Sequence, residues 1–327
     1  MRGEIIMNSR KITVIIPTYN CSRLLNCTLI SLLNQSLDSS IFEVIVIDDG
    51  GNDDTENIVN SYKDLMNIRY YWYENKGFRA GKARNVGATL AETKYILFLD
   101  SGILASDKLL ETHIKMHEQA ASSTVVIGYT YAFDITNDEV KILLPQLISD
   151  DADACIEIAK RLKMYDIRQY QYDLLGTDIY NWPAPFYIFW TCHTSVEYKE
   201  LVKAGLFAAE YDGCWVGEDI DLGIRLFNNN NIFLLNDTAP SFHWPHKKNI
   251  SNDKKRASGL MSYINKKYSL WQTANHYLLM DPEVGHKNLS MNTALKTLSY
   301  PFDKKSLEDF VKKNKYELEN KLQLTIK

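Results

Sequence analysis

Asp100 closes the apolar run YILFLD (95–100), and the small residues Ser101 and Gly102 follow it. A strand that ends on a carboxylate presents that group beyond the sheet edge. One task for such a group is to hold a divalent cation on a diphosphate, and a cation of that kind takes more than one protein ligand. A second acidic group stands in WVGEDIDLGIRL (215–226), where Glu218, Asp219 and Asp221 put three carboxylates into four positions. Crowded carboxylates raise one another's proton affinity, which suits proton transfer. Helix capping and dipole complementarity explain one or two acids there, but less well the tryptophan and glycine just before them. Cations gather in NKGFRAGKARNVG (75–87): Arg79, Lys82 and Arg84 fall at a predicted helix start, where free amides and the dipole favour anions. They suit a diphosphate, and Gly77 and Gly81 allow close backbone approach. A solvated basic face is the competing reading. Two imidazoles, His243 and His246, stand three apart in SFHWPHKKN (241–249).

The elements that must position these groups alternate. ITVII (12–16) reads as a buried strand, and residues 22–36 carry leucines at helical spacing. FEVIVID (42–48) is a second strand, 55–65 a helix capped by Asp53 or Asp54, and IRYYWY (68–73) a third strand. An alanine-rich helix over 79–92 leads to the fourth strand. This alternation predicts parallel strands with right-handed crossovers, whose ligands lie beyond the carboxyl ends. Thr18, Asp48, Asp49 and Asp100 all fall at such ends. Asp49 can accept a hydrogen bond from a base N–H while Thr18 and its backbone hold the rest of the base; ordinary turn chemistry is the alternative. Further along, the sequence predicts a helix over 106–121 and a strand over 124–132. Residues 150–182 read as a poorly periodic insertion over the site. A strand over 186–196, helices over 198–206 and 218–229, and a strand over 232–236 follow. Pro240 and Pro245 then fix a turn, and from about residue 250 the chain reads as helices.

Net charge is −4, so there is no global field for nucleic acid. Five scattered cysteines form no CxxC pair, which argues against a zinc site or disulfide framework and for a reducing cytosol. The first residues lack a signal-peptide core, and no apolar run reaches the roughly 20 residues of a membrane span. The expected location is cytoplasmic. Lys247, Lys248, Lys254, Lys255 and Arg256 could touch an anionic membrane from that side or an acidic glycan, or form a solvated face.

VIIPTYN (14–20), VIVIDDGGNDDT (44–55), ARNVG (83–87) and LFLDSG (97–102) together resemble the family 2 glycosyltransferases. The resemblance implies an α/β fold of GT-A type: a nucleotide-diphospho-sugar transferase-like mixed sheet flanked by helices, with a helical C-terminal extension. The implied boundaries are a catalytic domain over 1–249 and the extension over 250–327, to which no role falls beyond packing or self-association. It implies nucleotide recognition by Pro17, Thr18, Tyr19 and Asp49, diphosphate neutralisation by Lys82 and Arg84, and a metal-diphosphate site at Asp100 with Ser101 beside it. The 215–219 stretch resembles the W-G-G-E-D segment of β-1,4-galactosyltransferases and chondroitin polymerases. By that resemblance Asp219 is the general base and Glu218 binds sugar hydroxyls. His243 or His246 completes the metal site, with His243 preferred as closer to the strand. Oxygen ligands plus an imidazole suit Mn2+ better than Ca2+, with Mg2+ also open. Trp182, Pro183 and Trp190 fall where the family builds its acceptor-facing wall, with an aromatic ring to stack on a sugar; simple core packing is the alternative. Asp100-Ser101-Gly102 departs from the family's D-x-D, because the last carboxylate is absent. The implied donor is a UDP-sugar, with a tilt to Gal or GalNAc. The implied acceptor is a glycan, lipid or small molecule. A nucleotidyltransferase and a non-catalytic binding module are the competing readings.

Overall fold

The structure is a computed structural model that describes residues 10–133, 135–213, 217–246 and 263–273, with isolated positions beyond. Contacts divide the chain into two compact units, Met1–Ile167 with Phe189–Asn249 and Arg168–Ile188 with Ile250–Lys327.

The first unit is built on an eight-stranded sheet. Its strands are β1 (Ile12–Thr18), β2 (Phe42–Asp48), β3 (Ile68–Trp72), β4 (Tyr95–Leu99), β5 (Ile103–Ala105), β6 (Thr124–Tyr131), β7 (His193–Glu197) and β8 (Ile232–His243). They lie in the order β3-β2-β1-β4-β7-β6-β8-β5. β3, β2, β1 and β4 run parallel, with Thr18 opposite Asp48. Helices α1 (Ser22–Leu33), α2 (Thr55–Ser61) and α3 (Ala80–Leu90) make the crossovers. Burial on both faces gives β1, β2 and β4 their continuous apolar sequence, whereas β3 at the edge is only partly buried. Gly87 lets α3 lie on β1: a Cβ there would stand 2.5 Å from Ile15 Cγ2.

The second half of the sheet departs from the sequence reading. The expected strand over 186–196 begins only at His193, antiparallel to β4 and β6. Pro185–Ile188 is instead a 3-10 turn of the second unit, where proline's missing amide costs no ladder bond. Just after it, the Trp190 carbonyl accepts from His193 N and from Thr194 Oγ1. β8 does not stop at 236. Residues 237–240 bulge out between two stretches paired with β6, and Asn236 holds the bulge by accepting from Ala239 N at 3.0 Å and donating to Ala239 O at 3.2 Å. Ser241–His243, expected as a turn, therefore return to the sheet and pair with β5, a strand too short to show a period in sequence.

Several helices also differ. The one expected over 55–65 ends at Ser61. Those expected over 106–121 and 198–206 are α4 (Leu109–Gln119) and, later in the chain, Tyr198–Lys203. Between β6 and β7 lie α5 (Asn137–Leu143), α6 (Ala152–Arg161) and α7 (Gln169–Leu175), so the supposed irregular insertion is largely helical. Caps explain the first two of these short helices: Thr136 and Glu139 form a capping box on α5, and Asp151 accepts from Ala154 N at 2.8 Å on α6. Tyr198–Lys203 is α8, and α9 (Glu218–Asn228) follows it. Among the described residues no helix is long and apolar enough to cross a membrane.

In the second unit, Ala184 N donates to Asn292 Oδ1 and Tyr187 Oη to the Gln272 carbonyl. The basic tract at 247–256 lies outside the described residues.

Candidate active site

The parallel strands end together, and their ends carry the first group of residues. Asp49 N donates to the Thr18 carbonyl at 2.9 Å, joining the loops after β1 and β2. Thr18 is buried with Oγ1 3.2 Å from Cys21 Sγ, whereas Tyr19 is half exposed. Both oxygens of the buried Asp49 carboxylate are engaged by Arg79, one by its Nη2 at 2.6 Å and one by its backbone amide at 3.1 Å. Burial pushes the Asp49 carboxyl above its usual range despite the pull of Arg79. The Arg79 guanidinium also lies over the Tyr73 ring, as does the Lys82 ammonium, 5.2 Å from the centroid. Lys82 itself is exposed, whereas Arg79 is not.

Arg84 leaves the same helix one turn on and turns inward. Its Nη2 donates to Asp100 Oδ1 at 2.9 Å. Its Nη1 lies 3.8 Å from Glu218 Oε1 and 3.9 Å from Asp219 Oδ1, and its guanidinium rests over Phe207. One buried cation thus faces three carboxylates from two distant parts of the chain. Burial disfavours its charge, but Asp100, Asp219 and Glu218 outweigh that and raise its proton affinity. The balance remains acidic. Burial, then the charge of Asp219, pushes Glu218 up to about 8, and burial raises Asp219 as well. The Asp219 side chain keeps 23% exposure.

Helix α9 presents these acids because Gly217, at φ +103, turns the chain into the helix through the left-handed region. Thr191 holds Asp219 from the other side, its Oγ1 donating to Oδ1 at 2.7 Å and its amide to Oδ2 at 3.2 Å. Asp221, the third acid of the motif, has a structural task. It accepts from Arg225 Nε and Nη2 and from Tyr211 Oη, while Arg225 Nη1 holds the Ala204 and Leu206 carbonyls. Asn85 meets the same turn from α3, exchanging two 2.8 Å bonds with the Phe207 backbone.

Asp100 begins a turn that Gly102, at φ +95, completes, with Ile103 N donating to the Asp100 carbonyl. Ser101 Oγ donates to the Pro17 carbonyl at 3.1 Å and so ties this turn to the β1 loop. Trp244 N donates to the Gly102 carbonyl and Ile103 pairs with His243, so the end of β8 flanks the turn. His243 is buried edge-on to Phe133, with the exposed His246 ring 5.0 Å away. His246 Nδ1 donates to the Trp244 carbonyl at 3.0 Å, which leaves the Nε2 lone pair open, the usual arrangement of an imidazole ligand. Among the described residues no three His, Cys, Asp or Glu side chains gather as a metal cage. Asp100 and the two imidazoles are oxygen and nitrogen donors of the kinds a divalent cation takes, but too few to make a full shell by themselves.

Sequence reasoning missed Thr191, Cys192, Asn85 and Phe207. Asn85 lies within ARNVG (83–87), where no role falls to it, and Thr191 and Cys192 sit inside a run read as strand. Trp182 is buried in the second unit with its ring near Tyr172. Trp190 lies beside Phe133, and Trp215 is outside the described residues.

A mixed sheet of this order, with carboxylates and an arginine at the ends of its parallel strands, is the GT-A arrangement. The profile of glycosyl transferase family 2 matches residues 13–189, and the chain belongs to that family. It is 32% identical over 239 residues to a validoxylamine A glucosyltransferase of Streptomyces hygroscopicus subsp. jinggangensis (strain 5008), covering 72% of this chain and 56% of that protein. To a chondroitin synthase of Escherichia coli it is 26% identical over 271 residues, covering 79% of this chain and 38% of that one. The chain thus spans about half the length of the first of these relatives. Among solved structures, S. aureus TarS in complex with UDP-GlcNAc superimposes with a TM-score of 0.59 at 18% identity, covering 83% of this chain and 72% of that one. The mannosyltransferase PcManGT from Pyrobaculum calidifontis, in complex with GDP-Man and Mn2+, gives 0.55 at 14% identity over 94% of this chain and 80% of that one. Both likenesses concern the fold.

Proposed function

We propose that the chain is an inverting glycosyltransferase that moves a hexose or N-acetylhexosamine from a UDP-sugar to an acceptor hydroxyl, with Asp219 as the general base. The observation that carries this reading is the Arg84 bridge, which brings a donor-side carboxylate, Asp100, within reach of the same guanidinium as Glu218 and Asp219. Family membership and the UDP-GlcNAc complex of TarS support the donor class.

The uracil and ribose sit against Thr18, Tyr19 and Asp49 at the strand ends. Lys82, exposed at the start of α3, meets the diphosphate. Asp100, with His243 or His246, would hold a divalent cation, manganese or magnesium, that supplies Lewis-acid stabilisation of the leaving diphosphate. Asp219 takes the proton of the acceptor hydroxyl as that oxygen forms its bond to C1, and the C1–O bond to UDP breaks on the opposite face. Glu218 holds sugar hydroxyls, for which a carboxyl kept protonated by burial can donate as well as accept.

The test is a panel of UDP-Glc, UDP-Gal, UDP-GlcNAc and UDP-GalNAc, with and without Mn2+, read by UDP release. Wild-type protein should release UDP from at least one donor, and Asp219→Asn should lose transfer while keeping UDP affinity. Turnover retained by Asp219→Asn removes the base assignment. No release and no thermal shift with UDP would favour a binding module. Pyrophosphate made from UTP and a sugar phosphate would favour a nucleotidyltransferase.

A further inference from the structure

We propose that Thr191 is a positioning residue for Asp219, and that the dipeptide Thr191-Cys192 fixes the spacing between the donor-side carboxylate and the base. The proposal rests on the reading of Asp219 above. Thr191 is fully buried and gives Asp219 two bonds, one to each carboxylate oxygen. A carboxylate held at both oxygens cannot rotate, so its remaining lone pairs keep one direction. The next residue performs the matching task for the donor side: the Cys192 carbonyl accepts from Asp100 N at 3.1 Å. One short piece of backbone therefore touches both half-sites.

That piece is itself rigid. β7 starts immediately after it, with His193 opposite Leu99 of β4. Behind it, Thr194 Oγ1 donates to the Trp190 carbonyl at 2.7 Å and closes the turn from which Thr191 projects. His193 is anchored on its far side as well, with Nε2 2.9 Å from His113 Nε2 and Nδ1 2.9 Å from Ser241 Oγ. The two bonds also act on charge. Donors on a carboxylate favour its ionised form, and here they oppose the desolvation that raises Asp219.

The experiment compares Thr191→Val, which removes the hydroxyl and keeps the amide, with Thr191→Ser, which keeps both. Each is read by kcat for UDP release, by UDP affinity, and by the carboxyl 13C resonance assigned through its loss in Asp219→Asn. Thr191→Val should lower kcat roughly tenfold or more with UDP affinity unchanged. It should raise the Asp219 titration midpoint by about one pH unit. Thr191→Ser should return both toward wild type. A Thr191→Val protein with wild-type kcat and an unmoved resonance overturns the proposal, as does a serine variant as impaired as the valine one. If the valine variant does not fold, the wild-type Thr191 amide resonance decides: it must follow the Asp219 titration, and an amide that stays still overturns the proposal. The titrations need no donor. Turnover by Asp219→Asn therefore counts against the base reading, and a silent Thr191 against this one.

Discussion

Arg84 shows how much one side chain can decide. Its guanidinium is buried, makes one direct bond and answers three acids, so removing it strands those acids without a counter-ion. Arg84→Met should cost about 3–5 kcal/mol of stability, read by urea denaturation. Arg84→Lys should lose less, since it keeps the charge but not the planar fork. Glu218 gives a pH signature. Its folded-state value of about 8 lies above the ordinary 4.5, so between these values the folded protein binds a proton that the unfolded chain has released. Stability from this group therefore falls as pH rises through that window. Between pH 6.5 and 8 the urea midpoint of Glu218→Gln should fall less than that of wild type, and parallel curves there would count against a raised Glu218.

At the scale of elements, the helices are held to the sheet by two different devices. α3 depends on a missing side chain. Gly87→Val would drive a branched side chain into Ile15 and should cost about 1–3 kcal/mol, with the helix displaced from β1. α4 depends on buried polar groups. His117 bonds Thr124 and Ser195, His113 bonds Ser195 and His193, and His193 reaches Ser241. A Cβ on Gly128 would fall 2.0 Å from the His193 ring, so that glycine leaves the ring its place. Burial pushes His113 well below the usual imidazole range and His117 to about 3, so both stay neutral when folded. The unfolded chain takes up those protons below about pH 6.5, so this contribution is lost as pH falls, by up to about 1.4 kcal/mol per pH unit for each histidine. His117→Gln should have a shallower loss of urea midpoint between pH 6.5 and 4.5 than wild type.

For the whole molecule these opposing slopes combine. Below about pH 6.5 the two histidines gain stability with rising pH faster than Glu218 loses it, and above that point the Glu218 loss is the larger. Their joint contribution peaks near pH 6.5, and fluorescence-detected stability profiles of wild type and of Glu218→Gln should show it as a difference that changes across that point. The Glu218→Gln profile should flatten on its alkaline side and steepen on its acid side.

The amino-acid sequence by itself determined the parallel half of the sheet, because β-branched runs and leucine-bearing helices alternate there in period and length. It also marked Thr18, Asp49 and Asp100 as strand-end residues, since the end of an apolar run is a local property. Local patterns could not show how far β8 runs, because Asn236 restores the strand only by bonding across a bulge to Ala239. Nor could they show that β7 starts at His193 or that β5 exists, since each depends on a partner strand remote in sequence. The site divided in the same way. The acids were legible as a motif, but which of them is free was not: Asp221 is bound by Arg225 and Tyr211, whereas Asp219 is held open by Thr191. Carboxylates carry identical chemistry in a sequence, and only the donors that folding brings to each one separate a structural acid from an available one.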